Sequence, residues 1–302
     1  MSRNIGYQFQ NAIDSNFREG IDKHSLKASG EKPALVYSYN QRRSLLQVGY
    51  EMKNFMKEVF PDIKMVSHIA SDHWNAFLEK KSESCGQVTL KNYASRIGKL
   101  EDLVNKRYDA NVDWRTDIDI PLSGKAADAQ RVQSMDPADF QRIQIACQNS
   151  TSRAAPAIML AGICGARANE LAILKPGNVN PERCEITLHG KGGRDRTITL
   201  DPKFQPFLQK IKENSYSTRS VFGLKQDSIS KFLNRTMKCL HLKEKYPQTS
   251  IHSIRKMVAQ REWDRLRAEG YSRKERMQKV SEFLGHGRDR YDIIRIYVGN
   301  RH

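Results

Sequence analysis

Glu185-Ile186-Thr187-Leu188-His189-Gly190-Lys191-Gly192-Gly193-Arg194-Asp195-Arg196-Thr197-Ile198-Thr199-Leu200 breaks the period of a sequence that is helical on both sides of it. Apolar and polar residues alternate over Glu185–His189 and again over Arg196–Leu200, the period of two that turns one face of a strand to a core. The glycine-rich segment between them reads as a hairpin turn carrying Lys191. Upstream, Asp136-Pro137 supplies an N-cap and a proline at the first helical position. Helices are expected at 137–148, 153–164 and 167–174, the last stopped by Pro176-Gly177. Downstream they are expected at 203–213, 228–240, 252–268, 273–284 and 289–298.

Ahead of this α+β half lies a purely helical one. Leu45, Val48, Met52, Phe55 and Val59 recur at intervals of three and four, and Pro61 ends the stripe. Ser71 is positioned to cap a second helix that buries Trp74, Phe77 and Leu78. Leu90, Tyr93, Ile97, Leu100 and Val104 mark a third. The stretch after Asp109 loses its period, and residues before Gln41 are polar with Gly20, Gly30 and Pro33 as breakers. The expected division is an N-terminal arm at 1–40 with room for one short helix, a helical module at 41–110, a linker at 111–135 and a second domain at 136–302. The fold class is mainly α with a small β-hairpin.

Charge separates the two halves. The chain of 302 residues has 51 Lys and Arg against 34 Asp and Glu, a net charge of +17. Residues 1–135 contain 20 basic and 17 acidic side chains, net +3; residues 136–302 contain 31 and 17, net +14. An excess of that size in one half predicts a polyphosphate-binding face there. The first ten residues lack the apolar core of a secretory signal. The apolar run Ala154–Cys164 is too short to span a bilayer. Five cysteines without a CxxC pair argue against a disulfide framework or a cysteine zinc site, and fit a reducing cytosol. The expected location is cytoplasmic, associated with DNA.

Singly, the residues able to do chemistry have plain explanations. Arg167 and Glu170 are three apart and suit a helix-surface ion pair. Lys191 suits a solvated turn. His252 and Arg255 fall one helical turn apart, and Gly285 or Gly287 next to His286 suits a helix end. In order, however, the series is specific: Arg167 in Gly-Ala-Arg-Ala-Asn-Glu-Leu, Lys191 in the Gly-Lys-Gly-Gly turn, His252-Ser-Ile-Arg255, Leu284-Gly285-His286, and a tyrosine near the C-terminus. This series over about 136–302 resembles the tyrosine recombinase/integrase family, the phage-integrase-like site-specific recombinases. The helical module ahead of it is similar in pattern to the family's core-binding domain.

The resemblance implies a C-shaped clamp on duplex DNA and strand exchange through a 3′-phosphotyrosyl intermediate with a free 5′-hydroxyl. It implies integration or excision of a mobile element by a homotetramer on two DNA sites, a dimer per site, with accessory DNA-bending or directionality factors. Arginine suits a scissile phosphate because its planar fork reaches two oxygens and stays charged. Arg167 and Arg255 would hold the phosphate, with His286 as a further donor and Glu170 orienting Arg167. Lys191 would protonate the leaving oxygen, and His252 would assist removal of the nucleophile's proton. Tyr297 in Ile-Tyr-Val matches the family around the nucleophile; Tyr291 competes for the role. Six residues apart on a helix, the two tyrosines point about 240° apart, so one of them faces the phosphate. Five residues follow Tyr297 in this sequence, so the resemblance leaves two expectations for contact between subunits: another surface, or a chain that ends early.

No metal or ATP is expected: the sequence lacks a GxxxxGK[ST] loop, an HExxH pair and a spaced carboxylate cluster. Lys91, Arg96 and Lys99 in the first half, and Lys225, Lys231 and Arg235 in the second, are candidate DNA contacts. The alternatives are a type IB topoisomerase-like enzyme that relaxes DNA, and a DNA-binding protein that keeps the fold without turning over. A membrane-surface role is disfavoured, since no basic segment has a large exposed apolar face.

Overall fold

The computed structural model describes residues 4–21, 26, 30, 34–125, 133–190, 193, 195–247, 251–287 and 291–298. The chain divides into two compact units, residues 1–129 and 130–302.

The first unit is built from α1 (Ile5–Ser15), α2 (Tyr39–Val59), α3 (Ser71–Ser82) and α4 (Gln87–Tyr108). The expected stripes face its core: Leu45, Val48, Met52 and Phe55 on α2, Trp74, Phe77 and Leu78 on α3, and Leu90, Tyr93, Ile97, Leu100 and Val104 on α4 are all buried. Val59, in the last turn of α2, is exposed instead. Ser71 is the first residue of α3 and not its cap. Its hydroxyl donates to the carbonyl of Asp113 at 3.2 Å, and the Nδ1 of His73 accepts the Ala70 N–H at 2.9 Å.

Two segments differ from their expected roles for related reasons. The described part of the expected arm is structural: α1 starts at an Asn4 cap that accepts the Tyr7 N–H, and buries Ile5, Phe9, Ala12 and Ile13. Phe9 lies 6.0 Å from Trp74 and 6.2 Å from Trp114, ring centre to ring centre. A buried glutamine conceals this face in the sequence. Gln8 donates to the Lys64 carbonyl and accepts the Val66 N–H, so a polar residue occupies a core position with both ends satisfied.

The first part of the expected linker is likewise folded onto this unit. Trp114 is 1% exposed, its indole N–H donates to the carbonyl of Ile69, and the N–H groups of Trp114 and Arg115 both donate to Glu101 Oε2. Asn75 then fixes Asp117 and Asp119, and Gln87 fixes Pro121 and Ser123. Side chains here satisfy a backbone that has no ladder of its own, and such bonding leaves no period in the sequence.

In the second unit, Asp136 caps α5 (Pro137–Gln148) with Pro137 at its first position, as expected. The apolar run becomes α6 (Ala154–Cys164), nearly all of it buried at the centre of the core. The short α7 (Ala168–Ala172) leads into a sheet of β1 (Val179–Asn180), β2 (Glu185–His189) and β3 (Asp195–Thr199). The strands are antiparallel in the order β1-β2-β3, with Ile186 opposite Ile198 and Leu188 opposite Arg196. The hairpin was expected; the two-residue β1 is too short to show a period. Helices α8 (Gln205–Glu213), α9 (Gln226–Cys239), α10 (Ile251–Ala268), α11 (Arg273–Phe283) and α12 (Tyr291–Val298) follow. Ile294 and Val298 seat α12 on Ala259, Trp263, Val280 and Leu284 from α10 and the end of α11. No helix among the described residues is long and apolar enough to cross a membrane.

Glu101 is 6% exposed and accepts from two backbone N–H groups and the Arg115 guanidinium. Glu101→Ala leaves the buried Trp114 N–H without an acceptor and takes the acceptor from the partly buried Arg115 N–H, at a cost of about 2 kcal/mol. The expected outcome is faster amide exchange at Trp114 and Arg115 by more than tenfold, with α9 and α10 unchanged.

Candidate active site

Gly165 ends α6 in the left-handed conformation, φ 64°, and the chain turns so that Arg167 stands at the N-cap of α7. Glu170, on the first turn of α7, reaches back: Oε2 accepts the Arg167 backbone N–H at 2.7 Å and Oε1 accepts its Nη1 at 2.6 Å. From β3, Arg196 approaches the same carboxylate as a fork, Nη1 to Oε1 and Nη2 to Oε2, both at 2.8 Å. Burial by itself raises the Glu170 carboxyl pKa. The hydrogen bonds and charge of Arg196, the Arg167 N–H and the charge of Arg255 outweigh it and hold the pKa down to about 2.

Arg255 projects from α10 and exposes no surface. Its Nη1 donates to the carbonyl of Gly165 and its Nη2 to the carbonyl of Leu284. Nη2 also lies 3.4 Å from Nε2 of His286, and Nε has no partner among the described residues. Desolvation, then repulsion from Arg167, pushes its pKa down to about 10, so it remains charged at neutral pH.

His286 is placed by the end of α11. Gly285 takes φ 67°; its N–H returns to Glu282 and that of His286 returns to Ser281, the paired bonds of a Schellman turn. The imidazole then lies with Nε2 3.2 Å from Nη2 of Arg167. Because guanidinium groups only donate, Nε2 acts as the acceptor in this arrangement.

Tyr297 packs against both groups, its ring 5.5 Å from the His286 ring and 5.6 Å from the Arg255 guanidinium carbon. Tyr291, on another side of α12, accepts from Gln278 Nε2 at 3.2 Å. The structure therefore brings Tyr297 into the cluster and leaves Tyr291 outside it. His252 sits one turn before Arg255 on α10 and is exposed. Partial desolvation, then the charges of Arg255, Arg167 and Lys256, hold its imidazole below the usual range, against the pull of Glu170.

Arg167, Glu170, Arg255, His286 and Tyr297 thus form one cluster with His252 at its border. Lys191 lies outside the described residues. Lys225, Lys231 and Arg235 are exposed around α9, whose Ile229, Leu233 and Met237 are buried. On α4, Lys91 is exposed and Arg96 and Lys99 are half-buried. The α9 group takes no part in the cluster. Among the described residues no three His, Cys, Asp or Glu side chains gather to hold a metal ion.

Arg196 is the site residue that sequence reasoning missed. The signal was present, since Arg196 occupies an inward position of β3 in register with Ile198, where the alternation calls for an apolar side chain. A cluster of three guanidinium groups around one carboxylate, roofed by an imidazole and a phenol, is suited to bind an anion beside a hydroxyl nucleophile.

The chain belongs to the phage integrase family, whose model matches residues 133–301, and with that to the tyrosine recombinases its motifs resemble. It is accordingly an enzyme of the tyrosine-type site-specific recombinase class. No curated protein matches it in sequence. Solved structures match its fold. The Tn1549 transposon integrase in complex with a circular intermediate DNA is 12% identical, with 99% of this chain and 96% of that one covered and a TM-score of 0.65. XerH site-specific recombinase bound to palindromic difH substrate, a post-cleavage complex, is 15% identical over 97% and 90%, TM-score 0.62. A lambda integrase tetramer bound to a Holliday junction is 15% identical over 93% and 77%, TM-score 0.62.

The low pKa of Glu170 makes a prediction about stability. Its folded value lies below the unfolded value near 4.5, so its contribution is complete above that pH and is lost as pH falls through about 2. Urea unfolding at pH 7 is expected to show Glu170→Gln less stable than wild type by on the order of 3 kcal/mol. The gap narrows steadily between pH 4.5 and the acid limit of folding.

Proposed function

We propose that the chain cuts and rejoins duplex DNA through a 3′-phosphotyrosyl intermediate at Tyr297, in the integration or excision of a mobile element. The observation that carries this reading is Arg255: a fully buried guanidinium whose described partners are two carbonyls and an imidazole, with no carboxylate of its own. A charge held this way costs several kcal/mol in a folded protein. A phosphate anion offsets that cost, and Arg167, which shares His286 with Arg255, and Tyr297, whose ring packs on Arg255, are its neighbours there. Because Arg255 is covered in the free chain, the phosphate reaches it as Tyr297 or His286 shifts aside.

In the proposed step the Tyr297 oxygen attacks phosphorus and the bond to the 5′-oxygen breaks. The phenol's proton passes to His252, and Lys191 protonates the departing 5′-oxygen, which leaves as a free 5′-hydroxyl. Arg167 and Arg255 neutralise the charge that grows on the non-bridging oxygens, and His286 donates a further hydrogen bond to them. Attack by a 5′-hydroxyl from another strand reverses the bonding and releases Tyr297. The energy of the phosphodiester is kept in the phosphotyrosine, so no ATP is needed. The second unit is the catalytic domain and the first the core-binding domain. Lys91, Arg96, Lys99, Lys225, Lys231 and Arg235 contact phosphates along the duplex. The working assembly is a tetramer on two sites, the arrangement that the lambda integrase complex supports by analogy.

The test incubates the protein, in EDTA and without ATP, with supercoiled DNA carrying the sequence that flanks its gene, and looks after denaturation for protein attached to 3′ ends. Wild type and Tyr291→Phe are expected to give the adduct and Tyr297→Phe none. An adduct lost only in Tyr291→Phe overturns the nucleophile. Tight, salt-dependent binding with no adduct favours the DNA-binding alternative.

The pH profile gives a second check. A base works only when neutral, and the imidazole of His252 is held below its usual value. The adduct rate is therefore expected to stay level through neutral pH and fall below the ordinary histidine range, and His252→Gln to lower the plateau and remove that fall.

A further inference from the structure

Arg196 is 8% exposed and lies in a row of β3 that otherwise faces the apolar core, opposite Leu188 and two residues from Ile198. Its fork spans both oxygens of Glu170 at 2.8 Å, and its Nε is buried without a partner among the described residues. Gly285 rests on the guanidinium: a Cβ built there would meet Nη1 of Arg196 at 2.8 Å. Arg196 thus touches two of the elements that place the site, the carboxylate that holds Arg167 and the turn that presents His286. Buried ion pairs are a weak source of stability, since an apolar residue of similar volume often serves as well. A side chain this deep is also unable to grip DNA itself.

We propose that Arg196 is a positioning residue for the phosphate site: it shares the charge of Glu170 and fixes its carboxylate, so that Arg167 keeps a donor free for the phosphate while Gly285 and His286 are held in register. This rests on the recombinase reading only for the identity of the phosphate. With Arg196 present, one carboxylate is divided between two guanidinium groups. Without it, Glu170 pairs one to one with Arg167, neutralises it, and is free to turn. Lysine cannot replace the fork, because a single ammonium reaches the two oxygens only in alternation.

The test compares wild type with Arg196→Lys, Arg196→Met, Glu170→Gln and the double variant Arg196→Met/Glu170→Gln. Arg265→Met serves as control, since Arg265 is an exposed arginine of α10 paired with Glu262 and Glu269. Three quantities are read: the rate of 3′-adduct formation on the flanking-sequence DNA, DNA affinity against salt, and the NMR titration of the His286 imidazole in the free protein.

Both Arg196 variants are expected to slow the adduct on the order of 10- to 100-fold, the cost of a small misplacement of reacting groups. DNA affinity and its salt slope stay within about twofold, because a buried arginine releases no counterions. Arg196→Met raises the His286 midpoint, since a positive charge is lost and Glu170 is left unshared. The double variant is no slower than Arg196→Met, because the two residues act as one unit.

A lowered melting temperature with unchanged adduct rate and unchanged imidazole titration reduces Arg196 to packing and overturns the proposal. If wild type forms no adduct, the recombinase reading falls and the imidazole decides alone. A raised midpoint in Arg196→Met then keeps Arg196 as the positioning residue of an anion site, and an unmoved midpoint sinks it.

Discussion

Glu170 is 2% exposed and ionised, a state that hydrophobic surroundings alone would forbid. It survives because four N–H donors from two chain segments converge on its oxygens: the backbone and guanidinium of Arg167, and both ends of the Arg196 fork. The bond to the Arg167 N–H fixes the start of α7. The bonds to Arg196 tie that start to the sheet. The contact of Arg196 with Gly285 then carries the same constraint to the turn that presents His286. Segments more than 100 residues apart in sequence take their relative positions from a single carboxylate.

Around that carboxylate the charges do not cancel. Arg167, Arg196 and Arg255 bring three positive groups to one negative one, and the deepest of them, Arg255, ends on carbonyls. Desolvation first, and then repulsion among these charges, holds Arg255 and His252 below their ordinary pKa values. A stable fold optimised only for itself would place a second carboxylate here or remove an arginine. The surplus is intelligible as a site that is complete only with an anion in it, and the ring of Tyr297 packs beside His286 and Arg255 there. The first unit solves the opposite problem. It has little net charge to manage, and it uses Glu101, Asn75, Gln87 and Gln8 as internal staples that let non-periodic chain join a helical core.

Much of this was legible in the residues. The stripes of α2, α3 and α4 follow from spacing alone, because a helix that must bury one face repeats its apolar residues every three to four positions. The hairpin followed from period two and its glycines, and the order of Arg167, Lys191, His252, Arg255, His286 and a late tyrosine pointed to the family. Three features did not come through. The face of α1 was masked by Gln8, a polar residue made acceptable by partners at Lys64 and Val66. Trp114 sat in a stretch without period, because its segment is held by side chains from α3 and α4. Arg196 is not singled out by any motif, although its inward register beside Ile198 is an anomaly in a strand that alternates.

The sequence by itself determined the local elements and the list of chemical groups, since period, caps and residue type are properties of neighbouring positions. Only the tertiary structure decided which groups meet. It placed Tyr297 against His286 and Arg255 and turned Tyr291 to Gln278, a choice made by how Ile294 and Val298 seat α12 on α10 and α11. It also made Arg196 the partner of Glu170 across 26 positions. The physical reason is the same in both cases. Apolar seating of a helix and the gathering of donors on a buried carboxylate both arise only on folding, and both join residues whose separation in sequence has no period to read.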